Sequence, residues 1–137
     1  MARKDQWHWL DEKDDMRWSV SRHVRKGDLL LMYRGSPACR ITDVFRFVGD
    51  SVTRERADWR GGFLGRIGRV CSLGAPVFLA DLRRHRVLGT ANVVRANMQG
   101  TGGLQVSEYW FYLHEMICSR SRGVRKLLAS YAPGRAG

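Results

Sequence analysis

Two apolar blocks dominate the first half of the chain. Residues 29–33, LLLMY, form a continuous apolar run between turn signals, Gly27-Asp28 before and Gly35-Ser36-Pro37 after. Residues 40–48, RITDVFRFV, are rich in β-branched and aromatic side chains and end at Gly49-Asp50. The pattern predicts two strands joined by a turn. Residues 51–62 are polar and without period, which predicts a loop closing at Gly61-Gly62. Residues 63–73 predict a further strand. Gly65 and Gly68 within it suit a bulge or a tight corner better than a flat strand.

After Pro76 the period changes. Residues 77–84, VFLADLRR, predict a short helix opened near the proline and ended before Gly89. Residues 91–96 predict a short strand, followed by a polar, glycine-rich stretch. Ser107 is a good helix N-cap, with Glu108 in the first turn, where a carboxylate suits the helix dipole. Trp110, Leu113 and Ile117 then recur at helical spacing, so one face of this helix packs on a core. A second helix is predicted over residues 122–131, with Val124, Leu127, Leu128 and Tyr131 on its stripe and Arg122, Arg125 and Lys126 off it. Short strands first and helices late predict an α+β domain built on a small curled sheet or barrel.

Composition narrows the class. At 137 residues and 44% hydrophobic, the chain predicts one folded domain rather than a disordered tail. No apolar leader follows the first charges, and no run is long enough to span a membrane. Cys39, Cys71 and Cys118 are odd in number and far apart, which suits free thiols in a cytoplasmic protein. The charge is the strongest signal: 24 Lys and Arg against 13 Asp and Glu, a net +11, together with five Trp. Cations find phosphates and large rings find bases, so the leading expectation is a nucleic-acid ligand.

No catalytic constellation emerges. His8, His23, His85 and His114 are dispersed and none makes zinc spacing. The stretch 61–68, GGFLGRIG, lacks the glycine order of a dinucleotide loop and the helix that should follow it. The expectation is a binding protein with no enzyme activity, no cofactor and no metal.

Several residues stand together in a recognisable order. Trp18, then residues 25–28 (RKGD), then 29–34 (LLLMYR), Ser36-Pro37 and residues 41–48 resemble an EVE domain, a member of the PUA-like superfamily related to the YTH, ASCH and PUA modules. Residues 76–82, 93–100 and 106–110, followed by Leu113, continue the resemblance in the same order. It covers roughly residues 16–117. The resemblance implies a PUA-like small β-barrel of five or six strands with flanking short helices, occupying residues 1–119. Residues 120–137 would add a basic helix and a frayed tail to the same domain. It also implies a reader of DNA or RNA, with a modified base flipped into an aromatic-lined pocket. A modified cytosine in DNA or a modified RNA base would be the ligand.

The candidate base pocket follows from residue type and place. Trp7 and Trp9 share one face if their segment is extended. Trp18 leads toward the first strong strand, and Trp59 stands in an Arg-rich polar loop where no core stripe claims it. Tyr33 and Ser36 end the strongest strand, a place that lines the base pocket in the family it resembles. Asn97 and Gln99 offer amides that match a base edge. Candidate phosphate contacts are Arg34, Arg54, Arg56, Arg60, Arg66, Arg69, Arg83 and Arg84. Two other functions compete. One is an unselective RNA-binding accessory module. The other is an adaptor that docks a protein partner through the helix in residues 120–137.

Overall fold

The computed structural model describes residues 13–20, 23–49, 53–54, 63–98 and 106–133, the side chains of Ser19, Thr53 and Arg54 aside. Among these residues five strands run β1 (Asp15–Val20), β2 (Leu29–Arg34), β3 (Arg40–Phe47), β4 (Thr53–Arg54) and β5 (Phe63–Phe78). Four short helices follow: α1 (Leu79–Arg84), α2 (Asn92–Arg95), α3 (Trp110–Arg120) and α4 (Val124–Leu127).

The strands form one antiparallel sheet in the order β1-β5-β3-β2, with the two-residue β4 also pairing β5. This corrects the expected barrel. A barrel of five or six strands needs its first and last strands to pair. Here β1 and β2 end the order, and no pairing between them closes the sheet among the described residues. The architecture is α+β with an open sheet.

The bulges explain how one sheet serves two cores. Thr42 is an extra residue on β3, because Met32 pairs with Asp43 while Tyr33 pairs with Ile41. On β5 the register jumps from Ser72 opposite Asp43 to Val77 opposite Ile41. Pro76, which has no N–H to offer a ladder, falls inside that jump. Thr42 on β3, and Val70 on β5, extra because Val44 pairs with Cys71 while Phe45 pairs with Arg69, turn the side chains beyond them to the other face. Ile41, Val44, Leu73 and Val77 therefore pack with Leu82, Leu88, Leu113 and Ile117 under the helices. Phe45, Phe47 and Ile67 join Met16, Val20 and Met32 in a second cluster on the opposite face.

Other expectations change in detail. The strand begun at residue 63 continues through Pro76 to Phe78, so the helix expected from residue 77 starts at Leu79. Residues 91–96 are not a strand. They hold α2, because Ala91 and Val94 sit in the helical core at this spacing and the Arg95 and Ala96 amides bond back to Ala91 and Asn92. Ser107 opens a 3₁₀ turn over Ser107–Tyr109 and makes no side-chain cap. The last predicted helix is α4, then a 3₁₀ turn over Ala129–Tyr131. Its Val124 and Leu128 are buried in the chain's own core, while Leu127 is exposed. Among the described residues no helix is long and apolar enough to cross a membrane.

Candidate functional site

A shallow pocket of about 260 Å³ opens where the β2–β3 turn meets the helices. Tyr33, Gly35, Ser36 and Cys39 line it from the turn, Leu79 and Arg83 from α1, and Asn97 from the turn after α2. Each wall has a local cause. Strand alternation puts Tyr33 on the helical face with Leu29 and Leu31, and the bulge at Thr42 turns Ile41 to that face beside it. The turn is closed by the amides of Ala38 and Cys39, which both donate to the Gly35 carbonyl at 3.1 and 3.3 Å. The Cys39 carbonyl in turn accepts the Leu79 amide at 2.9 Å, which fastens the start of α1 to the turn. Asp81 caps that start, taking the Phe78 amide at 3.0 Å, and is itself held by Arg120 at 2.7 Å. The Arg120 guanidinium holds the Asp81 carboxyl below its ordinary range.

Two of the lining residues have backbones that L-residues seldom adopt. Cys39 has φ +48° and Asn97 has φ +60°, followed by Met98 at +57°. Asn tolerates this region through local hydrogen bonding, whereas for Cys or Met it costs roughly 1–2 kcal/mol. The Met98 amide holds the turn by donating to Val93 at 2.8 Å. Strain of this kind persists where surrounding structure imposes it, and it collects at ligand sites.

The chemistry of the pocket is donor-rich. Burial, then its hydrogen bond to the Cys39 side chain, pushes the Tyr33 phenol up to about 12, and nearby Arg83 pulls it only partly back. Tyr33 is therefore a neutral ring with a polar tip. Ser36 and Arg83 are exposed, and Asn97 offers both halves of an amide. Among the described residues no carboxylate lines the pocket.

The structure thus brings together four sequence candidates, Tyr33, Ser36, Asn97 and Arg83, and adds Cys39 and Leu79, which sequence reasoning missed. The proximity of the predicted helix to the strand end was the missing signal. Trp18 sits elsewhere, packed against the cluster on the opposite face of the sheet. Trp7, Trp9, Trp59, Gln99, Arg56 and Arg60 lie outside the described residues, and Arg54 is described in its backbone only. Arg84 is exposed on α1. Arg66 pairs with Asp15 at 3.2 Å on the surface, where such a bridge adds little.

Arg34 and Arg69 are held inside the fold. Both reach the buried Asp43 carboxylate, Arg34 at 3.6 Å and Arg69 by a short hydrogen bond. Thr42 and Ser72 complete the cage, donating to Asp43 at 2.6 and 2.7 Å. Arg69 also lies over the Phe45 ring, 4.8 Å from its centroid, and bonds the Asp14 carboxylate and the Lys13 carbonyl. Each of these side chains is 12% exposed, too little for a backbone-binding face. The cage locks β2 to β3 and β5 behind the pocket wall.

A second arrangement resembles a catalytic pair and is not built as one. Cys118 Sγ lies 3.6 Å from His114 Nε2 on α3. Burial pushes the Cys118 thiol up and the His114 imidazole down, so both are neutral rather than a thiolate–imidazolium pair. Both are buried, and His114 packs edge-on against Trp110. His85 is likewise structural: its Nδ1 accepts the amides of Val87 and Leu88, each at 3.0 Å. Among the described residues no group of three or more His, Cys, Asp or Glu could hold a metal ion.

The class these features define is an open-sheet α+β protein with a small donor-rich pocket. No family model matches the chain, and no curated protein matches it. Among solved structures it is similar to the NMR structure of Rpa0253 from Rhodopseudomonas palustris, a Northeast structural genomics consortium target. The two share 14% identity over 78% of this chain and 77% of that one, with a TM-score of 0.55. At that identity the likeness speaks to fold alone.

Proposed function

We propose that this protein binds nucleic acid and reads a modified base in the pocket between the β2–β3 turn and α1. The observation that carries the reading is the convergence of Tyr33, Ser36, Asn97 and Arg83 on one opening of about 260 Å³. A ring face, a hydroxyl, an amide and a cation are the groups that hold a planar, hydrogen-bonding heterocycle attached to phosphate. The volume lies just under that of drug-sized sites, about 300–1,000 Å³, and suits a single ring system. Cys39 and Leu79 supply the apolar wall against which a methyl substituent would pack, a contact of about 0.8 kcal/mol. The net charge of +11 supplies long-range attraction to the strand. The resemblance of the sequence to EVE domains points to the same ligand class.

Titration of the protein with matched oligonucleotides, modified and unmodified, in DNA and in RNA, tests the reading. A modified base should bind more tightly than its unmodified counterpart. Tyr33→Ala should weaken binding by about 1–3 kcal/mol, the range for one lost base–aromatic stack. Equal affinity for every oligonucleotide, unchanged in Tyr33→Ala, would overturn it and leave only unselective charge binding.

A further inference from the structure

We propose that the ligand brings its own phosphate to Arg83, so that the pocket takes a mononucleotide unit: its ring against Tyr33, its phosphate on the guanidinium. This rests on the base-reading function above and specifies what else of the nucleotide is recognised.

Three observations carry it. First, among the described residues Arg83 is the one cation lining the pocket, and no salt bridge to a carboxylate occupies it. The acidic residue nearest to it on α1, Asp81, is engaged by the amide of Phe78 and by Arg120. Second, among the described residues the lining offers donors and no carboxylate. A cationic base meets the Arg83 charge with nothing to offset it, whereas an anion satisfies that charge and accepts from Ser36 and Asn97 as well. Third, Tyr33 and Arg83 line the same small opening of about 260 Å³. An anion that meets Arg83 while a ring fills the rest of the space must be joined closely to that ring. In a nucleotide the group so placed is its own phosphate. Arg is suited to it, because the planar guanidinium can donate two parallel bonds to phosphate oxygens.

The test is calorimetric titration with three probes: inorganic phosphate, nucleosides, and the corresponding nucleoside monophosphates. Each is run against the wild type and Arg83→Gln. Arg46→Gln, the same charge change at an exposed position on β3 outside the pocket, serves as the control. In the wild type and in Arg46→Gln, monophosphates should bind about ten- to hundredfold tighter than nucleosides, the range for hydrogen bonds to a charged group. In Arg83→Gln that ratio should fall to near one, with an unchanged melting temperature showing that the variant is folded. Equal binding of nucleosides and monophosphates by the wild type, alongside selective binding of modified oligonucleotides, overturns this inference and leaves base reading standing. Monophosphates binding no better than inorganic phosphate would make the site an anion site alone and overturn both readings. Failure of the mononucleotides to bind, with modified oligonucleotides still selected, overturns the inference only.

Discussion

The indole N–H of Trp110 donates to the carbonyl of Tyr131 at 2.7 Å, across 21 residues of chain. The first turn of α3 thereby holds the 3₁₀ turn that closes the described C-terminal region. The bond gives a half-buried tryptophan a structural task that its place on the apolar stripe only partly foretells.

Trp110→Phe keeps most of the ring and removes the donor. It should lower stability by about 1 kcal/mol, the net worth of one hydrogen bond. Trp110→Ala also removes the packing against His114 and should cost about 3 kcal/mol. Urea unfolding of both variants separates the two contributions. Equal losses would assign the whole effect to the hydrogen bond.

His114 makes the fold sensitive to mild acid. Burial first, then the charge of Arg125, holds its imidazole below the ordinary 6.5, with neighbouring Glu115 opposing. The packed neighbours Trp110 and Cys118 offer no carboxylate to compensate. Between the unfolded value and the lower folded one, the unfolded chain binds more protons, so stability falls as pH drops below 6.5 through the folded value. His114→Gln should flatten that part of the profile of melting temperature against pH. Identical slopes in wild type and variant would remove His114 as the source.

Asp43 is the charge the fold can least lose. It is 3% exposed and faces Arg34 and Arg69 together. Asp43→Ala leaves two largely buried guanidiniums without their shared anion and should cost about 3–5 kcal/mol. Asp43→Asn keeps the shape and the polar contacts and should cost less. Chemical denaturation ranks the two. A loss under 1 kcal/mol for Asp43→Ala would mean that Asp14 and solvent suffice for the cations.

Gly65 is a matter of space. A Cβ there would meet the Phe47 ring closer than real Cβ contacts occur, and Val20 Cγ2 at 3.0 Å. Gly65→Ala should therefore destabilise by about 1–3 kcal/mol through overpacking. The same substitution at Gly74, where nothing lies within 4 Å, should be nearly neutral by the same measure. Comparable losses at both sites would point to backbone effects instead.

The two strands of the hairpin were legible because their apolar runs were dense and their turn signals sharp. The reach of β5 was not, since Pro76 reads locally as a helix opening. Only the bulge opposite Thr42 makes room for it within a strand. Residues 91–96 misled for the opposite reason. Val93 and Val94 favour strands intrinsically, but the core beneath α1 takes Ala91 and Val94 from a helical turn. Of the candidate site, Tyr33, Ser36, Asn97 and Arg83 were chosen separately, for a strand end, a turn, an amide and a charge run. Their convergence depends on the Cys39–Leu79 hydrogen bond, a long-range contact that no local pattern announces. Arg34 and Arg69 resembled phosphate ligands because an internal ion cage and a binding face share one composition. Trp18 belongs to the other face of the sheet, a distinction set by strand register.

Ser121 meets both polar groups of Ala75 on β5: its hydroxyl accepts the amide at 3.1 Å and lies 3.3 Å from the carbonyl. Ala75 stands beyond the stretch of β5 that β1 covers, so this one buried side chain stands in for a neighbouring strand. Take it away, and the Ala75 amide and carbonyl are left unpaired for a strand of a second molecule to meet. The failure of a Ser121→Val protein would then be intermolecular. It would show as turbidity that grows with protein concentration, while the monomer remaining in solution kept its pocket.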